Sequence, residues 1–100
     1  MRRPRQEASE WLRALREHKR LSQRQLAVQV GLDYYTFVSQ LEAGRGRLSP
    51  DRYEAWAEAL GIDPQVFVRE LMRYYDPVTY GLLFPDPGQV TGTEARPPQT

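Results

Sequence analysis

Residues Leu21 to Gly44 read LSQRQLAVQVGLDYYTFVSQLEAG, two short amphipathic segments that meet at a glycine. Ser22 with Gln25 three residues on is a capping-box pair, in which each side chain satisfies a backbone N–H that the first helical turn leaves open. Leu26, Ala27 and Val30 share one face, and Gly31 supplies the left-handed conformation that closes a helix C-terminus. Asp33 stands where it can cap a second helix, whose Tyr34, Phe37, Val38 and Leu41 repeat at the spacing of a buried stripe. The opposite face holds Tyr35, Thr36, Ser39, Gln40 and Ala43. These uncharged, small or hydrogen-bonding side chains suit a helix that enters a major groove and reads base edges.

Outward from this stretch the periodicity stays helical, with no strand-like alternation and no internal repeat. Residues 1–7 form a basic arm, and a first helix runs from about Glu7 or Ser9 to Lys19 with Ala8, Leu12 and Leu15 inward. After a linker of Arg45, Gly46, Arg47 and Leu48, Ser49 is placed to cap a fourth helix with Pro50 at its first position, where a missing N–H costs nothing. Tyr53, Trp56, Ala57 and Leu60 make its apolar face, and Gly61 ends it. Asp63-Pro64 repeats the cap-and-proline start for a fifth helix carrying Val66, Phe67, Leu71 and Met72, to about Tyr75; Asp76-Pro77 ends it. The expected fold is all-α: five helices over residues 8–76. An apolar extension, 77–84 (PVTYGLLF), follows with no helix or strand of its own. Residues 85–100, with four prolines and two glycines, have the composition of a disordered tail.

Leu21-Ser22-Gln23, Leu26-Ala27, Gly31-Leu32, Val38, Leu41-Glu42 and Gly44 resemble the helix-turn-helix of the lambdoid phage repressor and Cro family, the XRE-type bacterial regulators. The likeness extends upstream through Leu12, Leu15 and Arg16, and downstream through Pro50, Trp56-Ala57, Ala59-Leu60-Gly61-Ile62 and Phe67, about residues 8 to 70. The chain departs from the family in one place: Gly31 to Glu42 is one residue longer than the usual spacing, so the turn or the start of the second helix is altered. The resemblance implies a five-helix lambda-repressor-like domain. The expected function is that of a transcriptional regulator, most simply a dimeric repressor of a palindromic double-stranded DNA site in the bacterial cytosol.

The resemblance puts Gln40 on a base-contacting position, where its amide can donate to and accept from adenine in one bidentate contact. Thr36 and Tyr35 take the next groove-facing positions one turn earlier, and Ser39 falls near the DNA backbone. Gln23 corresponds to a family phosphate contact at the start of the first of the two helices, and Arg24, Arg45 and Arg47 flank the reading helix as further phosphate candidates. Arg16 and Glu42 match a structural ion pair joining helices one and three. Trp11 stands where the family has a polar residue, and is expected to pack under the 77–84 segment or a partner subunit. With Tyr74, Tyr75, Tyr80, Leu83 and Phe84 it makes up an expected dimer contact or intramolecular lid.

Charge agrees with this placement. The overall net charge of +1 hides ten Lys and Arg against five Asp and Glu in residues 1–47, and four against eight in residues 48–100. The positive half holds the reading helix, and polyanion binding works by local phosphate neutralisation. One hundred residues without cysteine make one small domain with no disulfide framework and no thiolate site. No apolar run approaches the roughly 20 residues that span a bilayer, and no apolar signal core follows the arginines of MRRPRQEASEW. The one histidine, His18, sits near the end of the first helix, where a cation complements the dipole. No catalytic residue, metal ligand or cofactor is expected. A second reading is an antitoxin-like or accessory module whose C-terminal aromatic segment binds a partner protein.

Overall fold

The computed structural model describes residues 4–85 and is helical throughout. Six α-helices succeed one another: α1 Pro4–His18, α2 Gln23–Gln29, α3 Thr36–Glu42, α4 Tyr53–Leu60, α5 Pro64–Tyr75 and α6 Pro77–Leu83, with a 3-10 turn at Pro50–Arg52 before α4. The all-α class stands, and the expected bounds shift. The first helix begins at Pro4, so most of the expected arm is helical; Met1 to Arg3, like residues 86–100 of the expected tail, lie outside the described residues. Ser49 makes no side-chain cap. Its hydroxyl hydrogen-bonds Asp51 instead, which lowers that carboxyl's pKa, and the chain makes a 3-10 turn before α4 starts at Tyr53. The segment expected to lack structure is α6: Asp76 both ends α5 and caps α6, accepting from the Thr79 N–H at 3.2 Å.

The core forms where the apolar stripes converge. Leu12 of α1, Leu26 and Ala27 of α2, Val38 and Leu41 of α3, Trp56, Ala57 and Leu60 of α4, and Phe67 and Leu71 of α5 make one buried cluster. Leu48 from the linker is fully buried with them. It is held in place because its N–H donates to the Tyr75 hydroxyl at 3.1 Å. Trp11 stacks on Phe67 with ring centroids 5.5 Å apart and tilts against Tyr74 at 5.7 Å. It therefore packs on α5, where the sequence pointed to the 77–84 segment or a partner subunit. α6 itself packs against α5, where Arg69 lies over the Phe84 ring. None of its residues is buried.

Four helix ends are closed by one device. The Leu32 N–H reaches the Ala27 carbonyl, Arg45 reaches Gln40, Ile62 reaches Ala57 and Leu21 reaches Arg16, each the outer bond of a Schellman motif. The residue before each donor has positive φ. In three cases it is glycine (Gly31, Gly44, Gly61), and after α1 it is Arg20 at φ 60. A left-handed conformation costs an ordinary L-residue about 1–2 kcal/mol, whereas glycine gives back roughly 0.5–1 kcal/mol through the freedom of its unfolded chain. Arg20→Gly is therefore expected to stabilise the domain by about 0.5–1 kcal/mol, read as a higher urea midpoint with an unchanged slope. A lower midpoint would mean that the Arg20 side chain makes a contact outweighing its backbone strain.

Candidate nucleic-acid interface

The capping box at the start of α2 is complete: Ser22 Oγ accepts from the Gln25 N–H at 3.0 Å, and Gln25 Oε1 accepts from the Ser22 N–H at 2.7 Å. The second segment differs from its sequence reading. Helix α3 starts at Thr36 with Tyr35 at the N-cap position and no side-chain cap, so Asp33 does not cap it. Tyr34 therefore lies in the turn ahead of the helix. It is 78% exposed instead of buried. Phe37 sits at the margin of the core, its ring edge-on to Trp56 at 5.9 Å and beneath the Arg52 guanidinium. Only Val38 and Leu41 of the expected stripe are fully buried.

On the opposite side of α3, Thr36, Gln40 and Ala43 are exposed and succeed one another four and three residues apart, which aligns them along one face. Tyr35 stands exposed just ahead of them, and Ser39 is half-buried at the edge. The Arg24 guanidinium lies 4.6 Å from the Tyr35 ring centroid. Arg45 and Arg47 leave the helix at its other end, both exposed; Arg47 rests over the Tyr75 ring at 4.5 Å. The residues expected to meet DNA thus gather around one exposed helix face. Tyr74 and Tyr75, expected in a dimer contact or lid, are engaged inside the bundle by Trp11 and by Leu48 with Arg47.

Beneath that face lies the Arg16–Glu42 pair. Arg16 Nε and Nη2 donate to the two Glu42 oxygens at 2.7 and 2.9 Å, and Nη1 donates to the Leu21 carbonyl at 2.7 Å. The two side chains are 10% and 4% exposed. Hydrogen bonding to Glu42 raises the arginine pKa above its ordinary value, while burial acts in the opposite direction. Gln23 Nε2 donates to the same carboxylate at 3.1 Å. This second amide contact was not legible in the sequence, where Gln23 read as a phosphate residue alone. Nor was Arg52 over Phe37, since nothing in spacing marks a cation lying over a ring. At the far end of α3, a Cβ placed on Gly44 would stand 3.5 Å from Ser9 Oγ, so the helix terminus is set close against α1.

Two short helices meeting at a glycine turn, the second with one face in the core and the other open, define a helix-turn-helix. A family model described as a helix-turn-helix domain matches residues 7–71. The chain belongs to that family, as the likeness to XRE-type DNA-binding regulators implied, and the fold is one of DNA-binding regulators. No curated protein matches the chain in a sequence search. Among the described residues no group of three or more His, Cys, Asp or Glu is placed to hold a metal ion, and no helix is long and apolar enough to cross a membrane.

Removing one member of a buried ion pair strands the other charge, at a cost of about 3–5 kcal/mol. Glu42→Ala is expected to be destabilised by that much in urea unfolding, whereas the double change Arg16→Met with Glu42→Leu costs far less because no charge is left unpaired. Equal destabilisation in the two variants would contradict this account of the pair.

Proposed function

We propose that the protein is a sequence-specific double-stranded DNA-binding transcriptional regulator, acting as a dimeric repressor in a bacterial cytosol. The observation that carries this reading is the exposed Thr36–Gln40–Ala43 face of α3, backed by a buried ion pair and flanked by arginines. A helix held this way can enter a major groove as one rigid piece. Gln40 then reads an adenine through its amide, while Thr36 and Tyr35 contact the neighbouring step. Gln23, Arg24, Ser39, Arg45 and Arg47 hold the phosphates on either side. Selection from a random DNA pool at fixed salt tests this directly. One enriched motif made of two half-sites supports it, and enrichment no better than the starting pool would refute it.

The dimer reading rests on α6. Val78 and Leu82 are 72% and 78% exposed, four residues apart on one helix face, with Leu83 beside them. Burying one large apolar side chain is worth about 1.5–3 kcal/mol, so a second copy gains by covering this face. Two reading helices would then meet half-sites about one DNA turn apart. The same exposed face favours the second reading, a partner protein of an antitoxin-like or accessory module. Purified protein that binds its DNA cooperatively without any addition supports the homodimer; binding only in the presence of another protein supports the alternative.

Three outcomes are expected. Gln40→Ala removes a bidentate amide–adenine pair, which weakens binding by about 1–3 kcal/mol per half-site and relaxes specificity at one base pair in each; full affinity with the same preferred motif would remove Gln40 from base reading. Arg45→Ala or Arg47→Ala flattens the slope of log affinity against log salt by about one unit and weakens all sequences alike, and a flat salt dependence in the unaltered protein would exclude phosphate contacts. Truncation after Asp76 converts a dimer to a monomer in sedimentation while leaving α1–α5 folded. An unchanged sedimentation coefficient with a lower melting temperature would make α6 an intramolecular brace.

A further inference from the structure

The turn between α2 and α3 is held by few contacts. From Gly31 to Tyr35 only Leu32 is drawn toward the core; Asp33, Tyr34 and Tyr35 are exposed. Helix α3 begins without a side-chain cap, so no hydrogen bond from the Tyr35 side chain ties the turn to the helix it introduces. A side chain at this point would ordinarily wander, and a wandering side chain reads DNA poorly because ordering it on binding costs free energy. Tyr35 is nevertheless engaged, by the Arg24 guanidinium centred 4.6 Å from its ring centroid.

Arg24 belongs to a well-fixed element. It lies in the first turn of α2, between Gln23, whose amide is bound to Glu42, and Gln25, which completes the capping box with Ser22. The contact therefore runs from the capped first turn of α2 to an exposed side chain at the uncapped start of α3. It is also chemically selective. A guanidinium is planar and lies flat on an aromatic ring, whereas an ammonium carries the same charge without a plane.

We infer that Arg24 is a positioning residue for Tyr35: lying over the ring, it fixes where Tyr35 stands beside α3 and thereby sets the base preference that Tyr35 contributes. This rests on the DNA-reading function proposed above. It differs from a plain phosphate contact because the planarity of the arginine matters as well as its charge.

The test has a part that needs no DNA. In the free protein, the Arg24 side-chain Hε resonance is shifted upfield by the ring current of Tyr35, and Tyr35→Leu returns it to an ordinary position; no change on that substitution would overturn the inference. In binding to the duplex recovered by selection, Arg24→Lys keeps the charge and so keeps the salt slope. It lowers affinity about two- to fivefold, what an exposed cation–π contact carries, and blurs the base preference at the step nearest Tyr35. Tyr35→Leu loses at least as much, because the base contact itself goes, and the double variant is no worse than Tyr35→Leu alone. Additive effects, or an Arg24→Lys protein that binds as the unaltered one does, would overturn the positioning role. Both side chains are exposed, so unchanged amide spectra elsewhere identify folded variants. If the unaltered protein bound no DNA while the ring-current shift persisted, the functional reading itself would fall and this role with it; DNA binding with additive variants sinks the positioning role alone.

Discussion

A single carboxylate joins the first three helices. Glu42 ends α3, takes both arms of the Arg16 guanidinium from α1, and accepts a further bond from Gln23 of α2. Arg16 also holds the Leu21 carbonyl, at the residue just before the capping serine of α2. Apolar contacts among Leu12, Leu26, Val38 and Leu41 drive these helices together but are non-directional, and would tolerate a rotation of α3 about its axis. A bidentate guanidinium–carboxylate contact has one geometry. The pair contributes little net stability because both charges lose water. It contributes orientation, and orientation decides which face of α3 is open.

That division of labour explains which features were legible in the sequence. The capping box of Ser22 with Gln25, the glycine ends at Gly31 and Gly61, and the proline start of α5 are short-range chemistry, and each appears where the residues put it. The Arg16–Glu42 pair was legible through the family resemblance alone, since 26 residues separate its members. Failures fall where local rules met a competing interaction. Asp33 and Ser49 are good capping residues, yet α3 starts beyond the reach of Asp33, and Ser49 bonds Asp51. Tyr34 fitted the spacing of the apolar stripe, but it precedes the first helical residue and stays exposed.

The site was legible by type more than by contact. Gln40 and Thr36 needed only helical geometry to be set on an open face opposite Val38 and Leu41. The rings that hold Arg24, Arg47 and Arg52 could not be foreseen, because each cation–π contact joins different elements. The C-terminal segment follows the same pattern. Its apolar residues were evident, but Pro77 after Asp76 reads equally as the end of one helix and the start of the next. The structure uses it as both, and the result is a seven-residue helix with no buried side chain of its own. A helix of that length is marginal in water without tertiary support, which ties the persistence of α6 to what covers it.

If DNA lies along the basic, polar face around α3, amide chemical-shift mapping during titration with a duplex recovered by selection will show it. The largest changes are expected on Arg24, on Tyr35 to Gln40 and on Arg45 to Arg47, with α4 and α5 nearly silent. Changes centred on the acidic surface of α4 and the 3-10 turn before it, around Asp51, Glu54 and Glu58, with α3 unmoved, would contradict that placement.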